Sequence, residues 1–144
     1  TLKTKTMKKL SLLIAVGSFV FLSIAKPTTN VATFDTYSQQ MQAMASKYVA
    51  EQKFENANKA IAKWLDAYNA LPTKDKESYK ATYANIMVEN AKALTQINQH
   101  YDALVCLKNA VKNGYSNADA LNSDANFTAL KSYSEFDKIV KSIK

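Results

Sequence analysis

The chain has 144 residues, a formal net charge of +7, two glycines, two prolines, one cysteine and no arginine. That length suits one domain, the lone Cys106 excludes an internal disulfide, and so few turn residues exclude a hairpin-rich sheet protein. Arginine forks and dense basic stripes are the usual means of gripping phosphate, and neither is present, so no nucleic-acid partner is expected.

Lys8 and Lys9 precede an apolar run, Leu10 to Ala25, that ends in the small-residue exit Ser23-Ile24-Ala25. The run is shorter than the roughly 20 apolar residues of a membrane span. A basic head, apolar middle and small exit together predict a secretory signal over residues 1–25, with Met7 as its start and the residues before it as upstream sequence. A retained N-terminal anchor is the competing reading. Cleavage after Ala25 removes Lys3, Lys5, Lys8 and Lys9 and lowers the net charge from +7 to +3. The expected product is exported, periplasmic or extracellular, with no membrane span and no cysteine at the cleavage point to carry a lipid.

Residues 26–34 are short, polar and predicted to be a flexible linker, and residues 35–143 to form a single helical domain. A first helix is expected from Asp35 or Thr36 to Glu51, with Met41, Met44, Ala45 and Tyr48 at helical spacing. A second is expected from Phe54 to Ala70, ended by Pro72, with Thr73 as the N-cap of a long third helix over Lys74 to Asn98. A fourth spans His100 to Asn113, with Lys112 suiting the dipole and Gly114 the left-handed cap. Short helical turns at 118–121 and 125–130 precede a last amphipathic helix, Ser134 to Ile143. Asp124 is placed to cap the turn that carries Phe127. Helix formers dominate throughout, and the fold class is all-α.

Two helix pairs repeat a spacing. The first gives Met41-x2-Met44-Ala45-x2-Tyr48, then Ala57-x3-Ile61. The second gives Met87-x2-Asn90-Ala91-x2-Leu94, then Ala103-x3-Leu107, with Ala110 at the later small position. Small residues at matching places allow two helix axes to approach, while the large ones fill the groove between them. On these residues the chain resembles a tetratricopeptide-repeat (TPR) protein. The copies lie 46 residues apart rather than about 34, Trp64 takes the first copy's later small position, and Asn90 replaces a large apolar residue. An ordinary helical bundle is the plainer alternative. Leu107, Ala110, Gly114 and Tyr115, followed by Leu121, Asp124, Phe127, Leu130, Phe136 and Ile139, resemble the segment that closes such arrays in exported bacterial proteins. The resemblance implies antiparallel helical hairpins stacked as a short right-handed solenoid, with a C-terminal capping helix over the last hairpin.

Chemistry is thinly provided. His100 is the only histidine and falls at a turn, where a solvated ring is the ordinary expectation. Cys106 lies on another face of the same helix and reads as a small buried hydrophobe. One histidine and one cysteine cannot build the usual zinc sets. Asp75, Glu77, Glu135 and Asp137 sit at helix starts, where carboxylates offset the dipole. No catalytic residue, metal site or cofactor is expected, and a hydrolase ranks last.

A helical repeat without chemistry acts through its shape. By the TPR resemblance the partner-lining positions are Gln42, Ser46, Lys92 and Gln96, suited to hydrogen bonding an extended protein or peptide segment. The alternative is a glycan-binding accessory protein that uses Trp64, Tyr68, Tyr79 and Tyr83 as a stacking platform. Each pair lies at i, i+4 on one helix face, and aromatic residues at that spacing are expected to be core.

Overall fold

A computed structural model describes residues 31–144; the expected signal segment and the first part of the expected linker lie outside them. Helix α1 runs Val31–Ala50 and α2 Phe54–Asn69, and the two pack along their lengths. The start of α1 corrects two expectations. It begins before Asp35, and residues 31–34 are helical rather than linker, because the buried Phe34 and Tyr37 extend the Met41–Ala45 stripe one turn backwards. Ala57, Ala60, Ile61, Trp64 and Ala67 form the buried face of α2.

The long third helix is broken. Short helix α3 (Thr73–Lys76) is followed by a 3-10 turn (Glu77–Tyr79) and then α4 (Lys80–Gln96). Thr73 is the first helical residue rather than the cap; Pro72 holds the cap position in an extended conformation that prevents α2 from running on. At the break Tyr79 leaves helical geometry, with φ −104° and ψ 9°. Its ring meets Phe34 edge-on, centroids 4.7 Å apart, and its hydroxyl donates to Asp35 Oδ1. That long-range pairing ties the break to the first turns of α1.

α4 is the central element. It packs against α1, α2, α5 (His100–Lys112) and the 3-10 segment Ala125–Ser132. Its buried residues accordingly occupy several faces, from Ala84 and Ile86 to Leu94 and Thr95. α6 (Ala118–Ser123) and α7 (Ser134–Lys141) complete the chain, and no strand occurs among the described residues. Leu121, Phe127, Leu130, Phe136 and Ile139 are all buried, forming a lid over α4 and α5. Asp124 caps its turn as expected, accepting from the Asn126 N–H at 2.9 Å.

Three helices end the same way. Gln52, Asn98 and Gly114 have φ of 58°, 62° and 97°, and the next residue's N–H reaches back to the last turn. Those bonds are Lys53 to the Tyr48 carbonyl, Gln99 to Leu94 and Tyr115 to Ala110, at 2.8, 2.8 and 3.0 Å. The residues that then start α2 and α5 share one backbone, φ −94° and ψ 64° at Lys53, φ −93° and ψ 61° at Gln99.

Candidate functional site

The expected partner-lining residues differ in their freedom. Ser46 is exposed on α1, and Gln42 is half-buried, its amide donating to the Ser38 hydroxyl at 3.0 Å. Lys92 and Gln96 are held by the lid. Lys92 pairs with Glu89 at 2.8 Å and Asp124 at 3.1 Å, and its side chain is only 20 % exposed. Gln96 donates to the Asn126 carbonyl at 2.9 Å. This corrects the expectation of an open lining on α4: residues 124–126 occupy the polar groups offered there. Burial alone pulls the Lys92 ammonium down, but Glu89 and Asp124 outweigh it and hold the group above its ordinary value. Burial pushes Asp124 up, yet the Asn126 N–H, the Asn126 amide and Lys92 prevail and hold its carboxyl below the usual range. These contacts fasten the lid to α4.

The aromatic residues make an interior cluster, not a platform. Trp64 is fully buried, its Nε1–H donating to the Ser38 hydroxyl at 2.8 Å. Tyr68 stacks on it with centroids 5.1 Å apart and Tyr83 packs on Tyr68 at the same distance. Tyr79 is buried against Phe34. Burial, then the Asp35 carboxylate, push its hydroxyl up to about 12. The spacing pointed to core: Trp64 and Tyr79 are buried, while Tyr68 and Tyr83 are half-buried at the edge of the cluster. Trp64 and Tyr79, two of the four rings of the expected platform of Trp64, Tyr68, Tyr79 and Tyr83, thus lie inside the fold and not on an open face.

His100 also departs from expectation. It is half-buried rather than solvated, because Tyr133 from the lid covers it, with Nδ1 3.0 Å from the Tyr133 hydroxyl. Its Nε2 is buried without a hydrogen-bond partner. Cys106 is buried as expected, and burial pushes its thiol up to about 11, far from a nucleophilic thiolate. Asn90 now has a reason to stand among apolar residues: it accepts from Asn58 at 2.9 Å and donates toward Cys106 Sγ at 3.5 Å. Among the described residues no group of three or more His, Cys, Asp or Glu lies close enough to hold a metal ion, and no helix is long and apolar enough to cross a membrane.

What remains is a surface the sequence reading missed. Ala103, Leu107 and Ala110 turn one face of α5 inward. The opposite face leaves Tyr101 77 % and Val105 57 % exposed. Beside them α5 and α7 bound two adjoining hollows. The first, about 430 Å³, is lined by Tyr101, Leu104, Val105 and Tyr133. The second, about 470 Å³, is lined by Val111, Ile139, Lys112 and Lys138, and Lys108 and Glu135 border both. The two helices run in the same direction along this groove, since Tyr133 meets Tyr101 at one end and Ser142 lines the hollow beside Lys112 at the other. The signal was present as Tyr101 and Val105 at i, i+4, a second apolar stripe behind the core stripe. The groove offers apolar area, three lysines, one carboxylate and the residues Ser134 and Ser142. Compared with known proteins, the chain matches no family model, no curated protein and no solved structure.

Proposed function

We propose that this chain is a non-catalytic exported scaffold that binds a protein or peptide segment, built from two TPR-like hairpins stacked as a short right-handed solenoid under a C-terminal cap. Four alanines support the stack. Ala45, Ala57, Ala91 and Ala103 are each 0 % exposed, at the positions where a bulkier side chain would hold paired axes apart. The turns at Gln52-Lys53 and Asn98-Gln99 support it too, since they share one backbone and lie at the same 46-residue spacing as the alanines.

One observation carries the binding role. Tyr101 and Val105 stand in water beside a concave groove, whereas Leu104 and Leu107 of the same helix are buried and Val111 is half-buried. Burying a Val or aromatic side chain gains roughly 1.5–3 kcal/mol. Two such anchors supply about 3–6 kcal/mol before association costs, so they alone account for a Kd no tighter than roughly tens of micromolar, and contacts along the groove must supply the rest. With Lys92 and Gln96 engaged by the lid, docking falls to this groove rather than to the α4 lining. The test is selection from a displayed random-peptide library, with Val105→Asp protein as counter-target. Selected peptides are expected to bind the wild type and to lose at least tenfold on Val105→Asp, whose helicity and melting point stay unchanged. A library that returns no binder sensitive to that substitution removes the proposal.

A further inference from the structure

We infer that the α5–α7 groove takes an acidic, extended segment of a partner protein, about five residues long, with one apolar side chain on Val105 and its carboxylates over the lysine end. This rests on the peptide-binding role proposed above and specifies its ligand. Length comes first. From Tyr101 to Lys112, α5 covers about 16 Å at 1.5 Å per residue. An extended chain rises about 3.3 Å per residue, so the groove spans roughly five.

Charge decides the class. Lys108, Lys112 and Lys138 line the groove against one carboxylate, Glu135. Glu135 is already shared, Oε1 with Lys108 at 3.3 Å and Oε2 with Lys138 at 3.7 Å. Both lysine side chains are 71 % exposed, so they are loosely held and free to exchange partners. Lys112 has no acidic partner among the described residues. The rim thus carries two uncompensated positive charges.

Apolar residues line the whole groove, but the lysines are weighted toward one end. Tyr101, Leu104 and Val105 lie at the start of α5, whereas Lys112 and Lys138 stand in the last turns of α5 and α7. One cation per helix end would offset the partial negative charge of the terminal carbonyls. Here Lys108 and Lys138 converge on the same side as Lys112, leaving capacity for incoming carboxylates. An apolar floor with a cationic end complements a peptide that has an apolar residue beside acids.

Fluorescence anisotropy tests this with three labelled probes, a leucine flanked by glutamates, by glutamines or by lysines. The acidic probe is expected to bind at least tenfold tighter than the glutamine probe, and the lysine probe weakest. Lys112→Glu with Lys138→Glu should cost the acidic probe at least tenfold. Raising the ionic strength from about 0.05 to about 0.5 M should weaken it as well. Val105→Asp should abolish binding of the acidic and glutamine probes alike. If the three probes bind equally and Val105→Asp still abolishes all of them, the acidic specificity is wrong and the docking groove survives. If no probe binds while the peptide library yields Val105-dependent binders, the inference again falls alone. If neither yields binding, both fall. Sedimentation with phosphatidylglycerol vesicles and no binding of the acidic probe would mean a lipid surface instead, and would overturn the inference.

Discussion

Replacing Phe127 by alanine tests the lid where it is most tightly packed. The ring is fully buried, 6.1 Å from Phe136 between centroids, on the 3-10 segment that lies against α4. Truncating a buried phenylalanine costs about 3–5 kcal/mol, which includes the cavity left behind. Loss of the tilted ring pair falls within that range, since aromatic pairs contribute about 0.5–1.5 kcal/mol beyond burial. A domain of this size has a total stability of about 5–15 kcal/mol and loses roughly 4–8 °C in Tm per kcal/mol near 100 residues. The expected result is a fall of at least about 12 °C, followed by circular dichroism at 222 nm and by the urea midpoint. Thr128→Ala is the control. Its exposed hydroxyl bonds only to the Ala125 carbonyl, so the effect should stay within about 0.5 kcal/mol. A Tm shift for Phe127→Ala no larger than that of Thr128→Ala would refute the lid as part of the cooperative core.

Gln52→Gly and Asn98→Gly should each raise stability by about 0.5–1 kcal/mol in urea melts, because the left-handed backbone strains a side chain that glycine lacks. Gly114→Ala should lower it: a methyl there meets nothing within 4 Å, so the cost is backbone strain alone. The Asp124 carboxyl is held below its ordinary value in the fold. The stability it contributes is therefore present above the ordinary aspartate range near pH 3.8 and is lost as pH falls through its lower folded value. Asp124→Asn should flatten that acid limb in urea midpoints taken from pH 6 down to pH 2.5. Cys106, buried and raised to about 11, should resist a disulfide reagent at pH 8 in the native state and react at once in denaturant.

Local spacing revealed faces, and distant partners decided what covered them. The stripes of α1, α2 and α5 and the Asp124 cap were legible, since each depends on residues within a turn or two, whereas Phe127, Leu130 and Phe136 were expected to cover the last hairpin only through the resemblance to a closing segment. The break before α4 was not. Tyr79 leaves the helix to meet Phe34 and Asp35, more than 40 positions upstream, and no periodicity encodes that. Lys92 read as a free cation because Asp124, its partner, lies 32 positions ahead on a lid whose docking site spacing does not specify. His100 read as solvated for the same reason, with Tyr133 brought over it from the lid. The left-handed turns at Gln52 and Asn98 were hidden because neither is a glycine. Tyr101 and Val105 were passed over because the inward stripe of α5 already explained the helix.

The position of α4 has a thermodynamic corollary. Links of a purely linear array meet only their immediate neighbours and melt piecemeal. Here one rod touches α1, α2, its own mate and the terminal segment, so each of these gives up part of its cover once that rod is lost. Calorimetric and van't Hoff enthalpies should therefore coincide, giving a single sharp endotherm in place of a staircase.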